Sequence, residues 1–103
     1  MKNKLILVID DDQDLRESIA EILSENGFEA VGCETAEVAL RKIKTRRPSI
    51  VIVDNIMPGM GGMALIPIIK KDHPDIKIIM ITAFSTVDNA VSAMKSGADD
   101  YLT

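Results

Sequence analysis

The chain alternates between two hydrophobic patterns. Residues 5–9 (LILVI) and 50–53 (IVIV) are continuous apolar runs, and 76–81 (IKIIMI) is broken only by Lys77. Runs this short, bounded by charge, read as strands buried on both faces. Residues 28–33 form a weaker run of the same kind, and Tyr101 with Leu102 begins a fifth. Between the runs, apolar residues fall at helical spacing. Leu15, Ile19, Ile22 and Leu23 mark a helix from Asp12 to Asn26, with Asp12 or Asp11 as N-cap and Gly27 as stop. Thr35 caps a second helix with Ala36, Ala39, Leu40 and Ile43 inward; Arg46 and Arg47 suit its C-terminal dipole, and Pro48 lies just beyond. Residues 55–62 (NIMPGMGG) are loop chemistry. A third helix covers residues 63–71, where Pro67 removes a backbone hydrogen bond and should distort the start. Val87, Ala90, Val91 and Met94 mark a fourth, capped by Ser85 or Thr86 and stopped by Gly97.

Strands buried on both faces, alternating with helices, imply a doubly wound α/β domain with a parallel five-stranded sheet. Ligands of such sheets bind at the carboxyl ends of the strands, where the strand order reverses. The residues there are Asp10 and Asp11 after the first strand, Asp54 after the third, and Thr82 and Ala83 after the fourth. Three carboxylates at one spot raise one another's pKa unless a cation joins them. An all-oxygen donor set without His or Cys suits magnesium, not zinc. With a cation in place, one carboxylate can act as a nucleophile toward phosphorus, while the Thr82 hydroxyl and the Ala83 N–H hold phosphoryl oxygens.

Composition narrows the partners. The 103 residues suffice for one domain, and 47% of them are apolar. With two Phe, one Tyr and no Trp, the core must be aliphatic. A net charge of −4 argues against sequence-independent nucleic-acid binding. The single cysteine, Cys33, excludes an internal disulfide and fits a reducing compartment. The sequence shows neither a membrane-length apolar run nor a signal peptide, so a cytoplasmic location is expected.

The segments LILVIDDDQDLR, VIVDNIMPGMGG, IIMITAFS and GADDYLT resemble, in order from residue 4 to the end, the signatures of the bacterial response-regulator receiver domain. AVSAMKSGADDYLT further resembles receivers attached to transcription activators of the nitrogen-regulation type. The resemblance implies the flavodoxin-like strand order 2-1-3-4-5. It implies that Asp54 accepts a phosphoryl group from a histidine kinase. Asp11 would bind magnesium directly, Asp10 mainly through water, and the Ile56 carbonyl would complete the protein ligands. Thr82 would bond the phosphoryl group and Tyr101 would be the aromatic switch, acting on an output domain or effector. Asp12 is left to cap the helix.

Two departures from the family stand out. Gly61 replaces the usual acid or amide, with little effect expected. The pattern also stops at Thr103, before the family's Lys-Pro pair and last helix. The expectation is a receiver lacking its final helix, with half of one sheet face, lined by strands one and three, open to water. Such a chain should form a homo-oligomer.

Blander readings compete with each role. Asp10 and Asp11 could simply cap a helix, but one cap needs one acid. Thr82 and Tyr101, taken singly, are ordinary strand-end and sheet residues. His73 reads as exposed loop, Cys33 and the Met residues as packing, and Lys42, Lys44, Arg46 and Arg47 as a solvated face. Two other functions compete as well. An aspartate-nucleophile phosphatase of the haloacid-dehalogenase type also places acids after its first strand, yet Asp14 stands where it wants Thr or Val. A non-phosphorylated interaction module of the same fold is the third reading.

Overall fold

The computed structural model describes residues 4–54, 61–81, 95 and 97–102. Its elements run β1 (Leu5–Ile9), α1 (Gln13–Glu25), β2 (Glu29–Cys33), α2 (Ala36–Thr45), β3 (Ile50–Asp54), α3 (Gly62–Asp72), β4 (Lys77–Ile81) and β5 (Asp100–Leu102). All strands are parallel, in the order β2-β1-β3-β4-β5. This is the doubly wound sheet that the apolar runs predict. The helix expected around Val87–Met94, its caps Ser85 and Thr86, and most of the NIMPGMGG loop lie outside the described residues.

The caps follow side-chain chemistry. Asp12, not Asp11, caps α1: its carboxylate accepts from the Leu15 N–H at 3.2 Å. The Thr35 hydroxyl does the same for α2 through the Val38 N–H. Beyond α1, Gly27 adopts a φ of 90°, which a Cβ would resist. Gly61 stands at the N-cap of α3 without a side-chain bond to offer, a shortfall of only a few tenths of a kcal/mol. The helix α3 continues through Pro67, which sits on its exposed side. His73 is the half-buried C-cap of α3, its N–H bonded to the Ile69 carbonyl at 2.8 Å, and not a free loop residue.

Arg46 and Arg47 do not serve the α2 dipole as expected. Arg46 pairs with Glu29 at the edge of β2, and Arg47 pairs with Asp75 before β4. The Lys42 carbonyl in the last turn of α2 accepts instead from the Thr45 hydroxyl and the Arg46 N–H.

The two sheet faces are filled unequally. On one, Leu7, Ile9, Val51, Val53, Ile78 and Met80 meet Ala36, Ala39 and Ile43 of α2 and Leu65, Ile66 and Ile69 of α3. Truncating one of the larger side chains to Ala should cost about 2–5 kcal/mol. On the other face α1 lies over β2 and β1, and Ile6 and Val8 are buried. Across β3 and β4 the same face is only half-buried at Ile50, Ile52, Ile79 and Ile81, and Leu102 of β5 is 47% exposed. The open half therefore belongs to β3, β4 and β5. Strand β1, which was expected to share it, is covered by α1. That helix has no fully buried residue: Ile19 and Leu23 of its stripe are half-buried, while Leu15 and Ile22 are exposed.

A partly buried ion pair closes the far side. Lys70 Nζ of α3 donates to Asp99 Oδ2 at 2.7 Å and to the Ile76 carbonyl at 2.7 Å. The same Asp99 oxygen accepts from the Ile78 N–H at 2.8 Å, and the Asp99 N–H donates to the Ile78 carbonyl at 2.8 Å. Nearby Gly97 has a φ of 115°, and a Cβ there would come 3.2 Å from Lys70 Cγ. Burial pushes the Asp99 carboxyl up, but the bonds from Lys70 and the Ile78 N–H outweigh it and hold it below its usual value. Removing the side chain orphans a part-buried N–H, so Asp99→Ala should cost roughly 1–3 kcal/mol in urea unfolding. A carboxyl lowered by folding stabilises fully above its unfolded pKa, about 3.9, and loses that contribution as pH falls through its folded value. The stability gap between the parent and Asp99→Asn should therefore shrink in acid. A gap unchanged between neutral pH and about pH 2.5 would refute this role.

Candidate functional site

The strand order reverses between β1 and β3, because β2 lies on one side of β1 and β3 on the other. Both strands end there in acids. Asp10 follows β1 and Asp54 is the last residue of β3. One carboxylate oxygen each from Asp10, Asp11 and Asp54 lies within 4.8 Å of the others. Asp10 is buried at 5% exposure, Asp11 is exposed and Asp54 is half-buried.

Asp10 is held at every polar group. Its N–H extends the β1–β2 ladder to the Cys33 carbonyl at 3.1 Å. Its carboxylate accepts from the Asp12 N–H at 2.9 Å, and its carbonyl accepts from Arg16 Nη1 at 2.8 Å. Burial raises the Asp10 carboxyl above its usual value; the charges of Asp54, Asp11 and Asp12 add to this, and the Asp12 N–H opposes it. The buried anion is thus only partly satisfied by the chain. A hard divalent cation fits the donors present: carboxylate oxygens from three residues, one buried and one exposed to water, with no sulfur or imidazole among them.

The other residues marked from the sequence are placed as follows. Thr82, Ala83 and Ile56 lie outside the described residues. Tyr101 stands on β5 opposite Met80 of β4, and its side chain lies outside them as well. Asp12 caps α1 and also donates its N–H to Asp10. Cys33 is buried, its thiol pushed up mainly by burial, as packing requires.

Sequence reading gave Arg16 no role. Its signal was present, because Arg16 lies three, four and seven positions before Ile19, Ala20 and Leu23. That is the side of α1 that is half-buried. A charged residue there needs a polar partner inside, and the Asp10 carbonyl supplies it.

The chain is similar to known proteins. The chain is 40% identical over 97 residues to the response regulator protein FleR of Pseudomonas aeruginosa, covering 94% of this chain and 20% of FleR. It is 36% identical over 102 residues to the DNA-binding transcriptional regulator NtrC of Escherichia coli K12, covering 99% of this chain and 22% of NtrC. It therefore spans about a fifth of the length of these relatives. Among solved structures, the receiver domain of the Francisella response regulator 1452 superposes with a TM-score of 0.91 at 32% identity, over 98% of this chain and 84% of that one. The nitrogen-regulation likeness seen in the sequence agrees with the NtrC match. Residues 6–103 match the family described as the response regulator receiver domain, and the chain belongs to that family.

Proposed function

We propose that residues 1–103 act as the phosphoacceptor domain of a two-component system, with Asp54 taking a phosphoryl group from a histidine kinase. The observation that carries this reading is the meeting of Asp10, Asp11 and Asp54 at the point where the strand order reverses. Asp10, Asp11, Asp54 and the Ile56 carbonyl would hold a magnesium ion. When bound, that ion offsets the charge brought by the incoming phosphoryl group. An Asp54 carboxylate oxygen attacks phosphorus as the bond from phosphorus to the kinase imidazole breaks, leaving an acyl phosphate on Asp54 and the imidazole with its electron pair. Asp10 stays buried and anchored at the rear, so the half-buried Asp54 and the exposed Asp11 face the donor.

By the family likeness, Thr82 and the Ala83 N–H take phosphoryl oxygens, and the inward draw on Thr82 lets Tyr101 follow. The phosphoryl group adds roughly −1.5 to −2 charge for that draw. The domain assists its own phosphorylation and dephosphorylation, and turns over no separate substrate. Its readout passes to an output domain or effector protein. The likeness to NtrC, a DNA-binding transcriptional regulator, makes a transcription regulator the natural carrier, with no nucleic-acid contact by this domain itself. A cytoplasmic setting agrees with this, and among the described residues no helix is long and apolar enough to cross a membrane.

Incubation with a small acyl phosphate and magnesium should add one phosphoryl group to the intact mass, and the emission of Tyr101, the chain's one tyrosine, should change with it. Asp54→Ala or a chelator should abolish both. Labelling that survives either treatment would exclude Asp54 as the magnesium-dependent acceptor.

The two neighbouring acids should separate by role. Asp11→Asn should weaken magnesium binding far more than Asp12→Asn. Asp12→Ala should instead lower stability by about 0.5–2 kcal/mol through the lost cap. Equal effects on magnesium affinity would break the division.

The half-buried isoleucines of β3 and β4, beside exposed Leu102, support self-association of this chain in isolation. Light scattering over a dilution series should show a mass that falls with concentration. A monomer whose melting temperature ignores concentration would contradict it.

A further inference from the structure

We infer that Arg16, working with Gly32, is a positioning residue that fixes the acidic pair Asp10–Asp11; this rests on reading Asp10, Asp11 and Asp54 as a divalent-cation site. Arg16 forms no ion pair among the described residues. Its guanidinium goes to the backbone carbonyl of Asp10, 2.8 Å away.

That carbonyl is the oxygen of the peptide joining Asp10 to Asp11. A peptide group is planar, so holding its oxygen also fixes the direction in which the Asp11 backbone departs. Asp10 has further anchors in the Cys33 carbonyl and the Asp12 N–H. Asp11 is exposed, and among the described residues no hydrogen bond holds its side chain. Its placement near Asp10 and Asp54 opposes the mutual repulsion of the three anions. The two peptides flanking Asp11 are each held by a side chain: Arg16 on the Asp10 carbonyl before it, and the Asp10 carboxylate on the Asp12 N–H after it.

Gly32 explains how an arginine reaches that point. It lies inside β2, opposite Val8, where glycine weakens a strand and calls for a reason. A Cβ on Gly32 would lie 3.0 Å from Arg16 Cδ, 3.1 Å from Cγ and 3.2 Å from Nε. The missing side chain is the channel for the arginine stem between α1 and β2. Its φ is not positive, so space and not backbone conformation is what glycine supplies.

The test is a titration of the full chain with Mn2+, following the EPR signal of the free ion, with Mg2+ as competitor and melting of the cation-free proteins alongside. Arg16→Met keeps a stem and removes the donors. It should weaken Mn2+ binding roughly tenfold, as loss of a residue that orients metal ligands typically does. Arg16→Lys should recover part of the loss. Gly32→Ala should also weaken binding by pushing the stem aside, yet add nothing once Arg16 is Met. A merely structural arginine would lower the melting temperature and leave the affinity of the folded fraction unchanged. Should Arg16→Met fail to fold, Arg16→Lys and Gly32→Ala carry the same comparison. Variants that bind Mn2+ as tightly as a binding parent, or Gly32→Ala and Arg16→Met effects that multiply, overturn the positioning role alone. A parent that takes up no Mn2+ removes the cation site itself, and the inference with it.

Discussion

Everything in this fold hangs on a strand that has no exposed side. All five residues of Leu5–Ile9 are 5% exposed or less. A strand so placed must be hydrogen-bonded on both edges and covered on both faces. The edges are met by β2 and β3, which run on either side of it. The chain reaches β2 first and must then cross β1 to form β3, which creates the reversal. The cleft at the end of β1 follows from that crossing. Burial of β1 also determines the character of Asp10, the first residue beyond it. Burial raises its carboxyl, and its N–H, its carbonyl and one carboxylate oxygen are bonded within the chain. A stable core element and a strained anion are consecutive in sequence because one creates the other.

The sheet was legible because parallel strands buried on both faces write themselves as apolar runs, whereas its order came from the family resemblance. The acids were legible for a related reason: a carboxylate directly after such a run can only lie at the strand's end. Asp10 and Asp54 are thus placed by topology, however distant in sequence. What escaped was anything that depends on which side chain bridges two elements. Lys70 and Asp99 look like surface charges in sequence, yet they tie the start of β4 to the approach to β5. Arg46 and Arg47 sit at a helix end where the dipole would favour them, yet nearer carboxylates take them. A full charge on Glu29 or Asp75 outcompetes the fractional charge of a helix terminus. Periodicity also failed at α1. Its apolar stripe is wider than its contact with the sheet, so Leu15 and Ile22 share the spacing of a core position without its burial.

The unequal faces belong together with that misreading. The face under α2 and α3 is filled completely, with Val51, Val53, Leu65, Ile66, Ile78 and Met80 at essentially zero exposure. Among the described residues the opposite face is covered only where α1 lies, and a single helix about 10 Å wide spans roughly two strands of a sheet spaced near 4.8 Å. Ile52 and Ile79 lie beyond its reach by geometry alone. Leu15 and Ile22, the part of the stripe not in contact with the sheet, add to the apolar surface left open on that side of the fold. Leu15 and Ile22 therefore extend the partly open apolar surface of Ile52 and Ile79 on the α1 side of the sheet.

The site inherits this division of labour. Asp10 is fixed by the core and Asp11 by a peptide plane that Arg16 holds from the half-covered face. Asp54 is fixed by β3, whose neighbours in the sheet are β1 and β4. Asp10 and Asp11 thus come from the turn between β1 and α1, and Asp54 from the end of β3. Held charges that repel one another store unfavourable energy, which adds to the burial that chiefly raises the Asp10 carboxyl. Strand β4, paired with both β3 and β5, links the strand of Asp54 to that of Tyr101. Under the proposed function a bound cation would offset the repulsion among the three carboxylates, and a phosphoryl group on Asp54 would add charge to the same spot.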